Sequence, residues 1–133
     1  MTRNLILMCA AATLLAGCGA VDKYRLDQLD QAVVRYAQAL RWGRYEDAQE
    51  YHLTREGERR KIDPEAMQHI RITGYQIQEK TMSDDLMEAE VTGAIDYFND
   101  SRGTIQQLPM RQTWWFEPNA KRWFVTGELP DFR

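Results

Sequence analysis

The chain has 133 residues, 44% of them hydrophobic and 28% charged, with a formal net charge of −3. That is one domain's worth of chain, and a mean hydropathy of −0.60 excludes a polytopic membrane protein. The mild acidity argues against a nucleic-acid binder, which carries a basic excess, and an aromatic content of 11% argues against disorder.

Arg3 precedes a charge-free run from Leu5 to Leu15. The run is too short for a spanning helix, which needs about 20 residues, and it has the character of a secretory h-region. Leu14-Leu15-Ala16-Gly17-Cys18 follows directly, a Leu and two small residues before a Cys. This segment resembles the lipobox of bacterial lipoproteins. The resemblance implies diacylglycerol on the Cys18 thiol, cleavage before Cys18, and N-acylation. Residues 1–17 are then a signal peptide, 18–23 the lipidated Cys and its tether, and 24–133 a single domain. Each buried methylene contributes about 0.8 kcal/mol and one chain anchors only marginally, so it takes two or three to hold the protein on a bilayer. Gly19, rather than Asp, follows Cys18; by the family's sorting rule this places the protein on the periplasmic face of the outer membrane rather than the inner one. An ordinary signal peptide with a chance Cys and an uncleaved anchor are the alternatives. Cleavage removes Cys9 and acylation consumes Cys18, so no thiol remains for a disulfide, a thiolate metal site or a nucleophile.

From about Tyr24 the apolar residues Leu26, Leu29, Val33, Tyr36 and Leu40 recur at helical spacing, which predicts an amphipathic helix of about five turns. Gly43 fits the C′ position beyond it. A shorter helix is predicted from Tyr45, with Ala48 and Tyr51 or His52 inward. Arg55 to Lys61 is charge-dense and reads as a solvated loop. Asp63-Pro64-Glu65 has the order of N-cap, N1 proline and first-turn acid, which predicts a helix of one to two turns through Met67.

After His69 the period becomes two. Ile70 and Ile72 are in one phase, Tyr75 and Ile77 in the other, and the switch falls at Gly74, which predicts a bulge. Met87 to Tyr97 alternates cleanly, with Glu88, Glu90 and Asp96 on the solvent phase. Asn99 to Gly103 is a turn. Leu108, Met110, Gln112, Trp114 and Phe116 form the next inward phase, and Pro109 in that strand demands an edge, a bulge or a strand start. Glu117 to Ala120 closes a hairpin onto a last strand, Lys121 to Gly127, before the tail Leu129 to Phe132.

The fold class is α+β, with N-terminal helices packed on a strongly curved antiparallel sheet of about four strands and the bend easiest at Gly74 and Gly93. Two stretches carry a resemblance to the NTF2-like (SnoaL-like, cystatin-like cone) superfamily. Ala39 to Ala48 looks like that group's helix, glycine break and second helix; Trp114 to Val125 looks like its closing hairpin. The resemblance implies a cone whose interior can hold a ligand or, in its enzymes, inward-pointing Asp, His and Tyr.

The inward phases offer no such acid–base pair. Asp96 would enter the interior only if its strand bulged at Gly93. His52, with Glu56 one helical turn on, is weak metal spacing, and His69 reads as a strand-boundary residue. No catalytic residue, metal ligand or cofactor is assigned. Tyr36, Trp42, Tyr97, Met110, Gln112 and Trp114 are the expected lining of a ligand pocket. Trp114 and Trp115 are adjacent on one strand and point to opposite faces. Trp115 and Phe124 therefore mark an outer aromatic face, to be covered by a protein partner, a second copy or the tail. The sequence thus points to a non-enzymatic, lipid-anchored interaction or assembly module. A carrier of a small apolar ligand is the alternative, and a cone-fold hydrolase or isomerase the third reading.

Overall fold

The computed structural model describes residues 17–132; the apolar run Leu5 to Leu15 and the first part of the lipobox lie outside the described residues. Helix α1 (Gly17–Arg41) buries Leu29, Val33, Tyr36 and Leu40, with Ala32, Ala37 and Ala39 beside them. This is the stripe expected from the spacing except for Leu26, which is exposed. The helix starts at Gly17 rather than Tyr24, so Gly19 to Asp22 are helical and not a loose tether. Once the packed half of a helix is nucleated, each further residue adds a hydrogen bond at little cost, and no proline stands in the way. At the other end Gly43 is left-handed at φ +67°. Its N–H donates to the Leu40 carbonyl (3.1 Å) and that of Arg44 to Ala39 (2.8 Å), the paired bonds of a Schellman cap.

Helix α2 (Tyr45–Gln49) is short and buries Ala48. The predicted helix at Asp63 to Met67 is instead a run of turns. Asp63 does cap the Glu65 N–H (2.9 Å), but the Ile70 N–H already folds back to the Met67 carbonyl (3.1 Å) and strand pairing begins at Ile70, which leaves no room for a helix.

Four strands follow in antiparallel order: β1 (Ile70–Met82), β2 (Glu88–Asn99), β3 (Thr104–Glu117) and β4 (Arg122–Val125). The bulge expected at Gly74 is present: Ile72 pairs with Tyr97 and Gly74 with Asp96, so Thr73 is the extra residue. The effect is to bring Tyr75 onto the same inner face as Ile72. A second register shift follows between Ile77 and Glu79. Pro109 lies opposite Ala94, on a stretch of β3 that β4 does not reach. Its missing N–H would have faced the open edge.

The sheet is curved enough that its two outer strands both touch α1. From β1, Lys80 pairs with Asp30; from β4, the Trp123 indole N–H donates to the Arg25 carbonyl (3.0 Å). Gly93 permits the bend. A Cβ there would lie 1.9 Å from the Gln76 carbonyl oxygen and 2.9 Å from its carbon, both backbone atoms of β1. At Gly74 the nearest obstacle is the end of the Asp96 side chain, 2.7 Å away.

Gly93→Ala is expected to cost about 3 kcal/mol or more in urea unfolding, because backbone must move to admit the methyl. Gly74→Ala should cost about 1 kcal/mol, since Asp96 can swing aside. Equal losses at the two sites would show that the close approach at Gly93 does not hold the bend.

Candidate functional site

Large aromatic side chains pack the interior. The Tyr36 ring meets Trp114 edge-on at 5.6 Å, Tyr51 at 6.0 Å and Tyr75 at 6.4 Å. Below the rings, the Tyr75 hydroxyl and the Trp114 indole N–H both donate to Gln112 Oε1, at 3.1 and 3.2 Å. Of the six residues expected to line a pocket, Tyr36, Tyr97, Met110, Gln112 and Trp114 are all buried in this packing. The sixth, Trp42, is on the outside. Its expected inward direction is corrected by the helix cap: α1 ends at Arg41, and the left-handed turn at Gly43 leaves the indole beyond the last packed turn.

His52 closes the interior. Its Nδ1 lies 3.0 Å from the Gly127 carbonyl oxygen, and its Nε2 lies 2.8 Å from the Tyr36 hydroxyl. A carbonyl only accepts, so Nδ1 carries the proton, and Nε2 accepts from Tyr36. Burial holds the His52 imidazole below its usual pKa, opposed by the bond to Gly127. Burial, then the neighbouring Tyr75, pushes the Tyr36 phenol well up. Burial favours the neutral form of both groups, and both ring nitrogens are occupied by the chain itself. Glu56 is exposed and takes no part. The sequence had the signal for this role, since His52 falls one turn after the buried Ala48, but periodicity could not supply its partners.

Asp96 stays on the outer face, accepting from Gln76 (3.4 Å) and Gln107 (2.7 Å); the bulges lie in β1, and β2 keeps its phase across Gly93. His69 is paired with Asp100 at 2.7 Å in the open. Among the described residues no group of three or more His, Cys, Asp or Glu is placed to hold a metal ion.

The expected partner face is also corrected. Trp115 is 8% exposed and Phe124 is 4% exposed. They pack on each other at 5.6 Å, and the chain itself covers them. The Trp115 indole N–H donates to the Leu53 carbonyl (2.8 Å), Arg55 lies over its ring at 5.7 Å, and Arg122 lies over Phe124 at 4.9 Å. The cover comes from the segment after α2, through the Leu53 carbonyl and Arg55, and from Arg122 of β4; Arg55 belongs to the stretch that read as solvated loop. The tail goes elsewhere: Phe132 packs on Tyr97 at 5.0 Å, at the inner end of the cone.

Several openings lie on the surface of the described residues. A cleft of about 830 Å³ lies between residues 59–63 and 128–132, with His52, Ile62, Met67 and Phe132 at its base and Arg59, Arg60 and Lys61 along one rim. Arg60 reaches Glu128 on the other rim at 3.4 Å, an exposed pair that contributes little. A smaller cleft of about 410 Å³ lies at the α1 C-terminus, between Trp42, Tyr45, His69, Phe98 and Asp100. Trp42 is 78% exposed, and Ile105, whose strand neighbour is Phe98, is 76% exposed at the same end.

No family model matches the chain and no curated protein matches it. Among solved structures it is similar to a "putative polyketide cyclase" from Pseudomonas putida KT2440, with a TM-score of 0.47 and 16% identity over 76% of this chain and 92% of that one. A second "putative polyketide cyclase", from Xanthomonas campestris pv. campestris, has a TM-score of 0.47 and 14% identity over 80% of this chain and 93% of that one.

Tyr36→Phe leaves a buried Nε2 without its donor and should cost about 1–3 kcal/mol. The unfolded chain's histidine titrates near 6.5 and the folded one lower, so below that pH the unfolded state holds more protons. The His52 contribution is therefore complete above about pH 7.5 and is lost as pH falls through the sixes. Urea unfolding of His52→Gln should show a flatter limb between about pH 7.5 and 5.5; an unchanged slope would mean that His52 is not the titrating group.

Proposed function

We propose that this protein is a lipid-anchored module of the outer membrane's periplasmic face that works by binding a protein partner, without catalysis. The anchor is Cys18, supported by the agreement of Arg3, the apolar run Leu5 to Leu15 and the lipobox around it. The observation that carries the binding reading is the placement of the aromatic side chains. The interior rings are packed against one another, while Trp42 and Ile105 are both largely exposed. An exposed Trp forgoes about 2–3 kcal/mol of burial, and Trp is the side chain that most often dominates a binding interface once a partner covers it. The adjoining His69–Asp100 pair supplies the polar rim that such an anchor needs.

A ligand carrier is the second reading, favoured by the cleft of about 830 Å³. Its apolar base and basic rim suit a small amphiphile with an acidic group. The seat would be this cleft, outside the filled cone.

Radiolabelled palmitate should enter the wild-type protein, and Cys18→Ser should move it from the membrane to the soluble periplasmic fraction; identical fractionation of the two would end the anchor reading. A photo-crosslinking residue in place of Trp42 should capture a discrete partner in intact cells, and one in place of Trp115 should capture none. Capture at Trp115 alone would overturn the assignment of the binding end.

A further inference from the structure

The geometry points to a fixed stance of the domain on the bilayer. In it the turns joining β1 to β2 and β3 to β4 rest on the lipid headgroups, Val21 and Tyr24 sit among those headgroups, and the Trp42 end faces away. The inference rests on the reading of Cys18 as the acylated residue and adds an orientation to it.

The first observation is that the anchor has no flexible linker. With Gly17 removed by cleavage, Cys18 is the first residue of α1, and the helix runs unbroken from it into its packed half. The second is where packing begins. Arg25 is the first residue held by the sheet: its carbonyl accepts from Trp123 (3.0 Å), its guanidinium donates to the Asp85 carbonyl (3.2 Å) and lies over Phe116 at 4.9 Å. Seven helical residues separate it from Cys18, a rise of about 10 Å. A headgroup layer is roughly 5–8 Å deep on each side of the hydrocarbon. A helix acylated at Cys18 thus clears the headgroups just where the domain starts.

Both turns end at that height. Asp85 belongs to the β1–β2 turn, and the β3–β4 turn reaches α1 through Gln28, which donates to the Lys121 carbonyl (3.2 Å). Between the anchor and the domain, Val21 is 53% exposed and Tyr24 57% exposed, following Cys18 at three-residue steps. Tyr24 keeps its hydroxyl bonded to Gln28 (2.9 Å). A ring with an apolar body and a bonded polar tip suits the membrane–water boundary. Lys23, Arg25 and Lys121 at this end are balanced by Asp22, Asp84 and Asp85, so the rigid tether, rather than charge, sets the stance. At the far end, Trp42 is 24 helical residues from Cys18, about 36 Å along the axis.

The test uses the full acylated protein, purified from cells in detergent and returned to liposomes of phosphatidylethanolamine and phosphatidylglycerol carrying nitroxide headgroups. With no free thiol left in the mature chain, single fluorophores can be placed through Asp84→Cys, Asn119→Cys and Ile105→Cys. Quenching is expected to be several-fold stronger at positions 84 and 119 than at 105. A flexible Gly-Ser insert of about eight residues after Gly19 should bring all three to the level seen at 105. Equal quenching at the three sites, in protein whose N-terminal mass shows the acyl chains and which floats with the liposomes, overturns the stance and leaves the anchor. Protein that lacks acyl chains and does not float overturns the anchor reading and the stance with it.

Discussion

Tyr36 is the side chain on which the architecture closes. Its ring touches the segment after α2 through Tyr51, β1 through Tyr75 and β3 through Trp114, and its hydroxyl ends in the His52 relay that ties down the Gly127 carbonyl. One residue of α1 thus holds four other parts of the chain. It can do so only if the sheet bends far enough for β1 and β4 to reach the same helix. That bend brings the β1 backbone to where a Gly93 side chain would be. The aromatic cluster and the missing side chain at Gly93 are two sides of one constraint: without the close approach the rings would not meet, and without the rings nothing would reward the approach. From Tyr24 onward the chain contains no cysteine, so no disulfide supplements this burial.

The helix expected at Asp63 to Met67 did not form, whereas the order of α1, α2 and the four strands, the inner phases of β2 and β3, the bulge at Gly74, the edge position of Pro109 and the cap at Gly43 were legible in the sequence. Each is a local rule: a period, a missing donor, a φ angle. What was not legible is what the chain does between its regular elements. Leu53 and Arg55 lie in a stretch with no period, yet they cover Trp115. Alternation correctly put Trp115 and Phe124 on the outer face but could not say that a loop from the other side of the molecule would reach them. Trp42 failed in the opposite direction. Hydrophobicity and helical phase placed it with the core, and the helix ended one residue too early for phase to matter. The pocket expectation failed for a volumetric reason: the same large rings that could have lined a cavity are large enough to fill it.

A filled interior changes what the molecule can do. Acid–base chemistry in an apolar cone needs a titratable group with a free lone pair or proton facing a void, and here the one buried imidazole spends both nitrogens on the chain itself. The rings that stabilise the interior also enclose this imidazole. What is left for binding is on the surface, and it is unevenly spread. The end of α1 nearest Cys18 is a bare helix beside two turns, and the opposite end carries an exposed Trp, an exposed Ile and a cleft.

That polarity follows from the helix. A 25-residue helix is a rod of about 36 Å, and the sheet wraps only its C-terminal two-thirds. A flexible tether would let a small domain tumble, so that any patch on it would meet partners and lipid alike. A helical tether removes that freedom at no cost beyond the residues already ordered. The apolar patch on such a domain can then lie at one end without being drawn onto the bilayer, which would otherwise compete for Trp42 and Ile105 as a solvent for apolar side chains. Under the proposed anchoring at Cys18, the continuity of α1 through Gly19 to Asp22 would hold an exposed Trp42 away from the bilayer, and the tether and the proposed binding end have to be understood together.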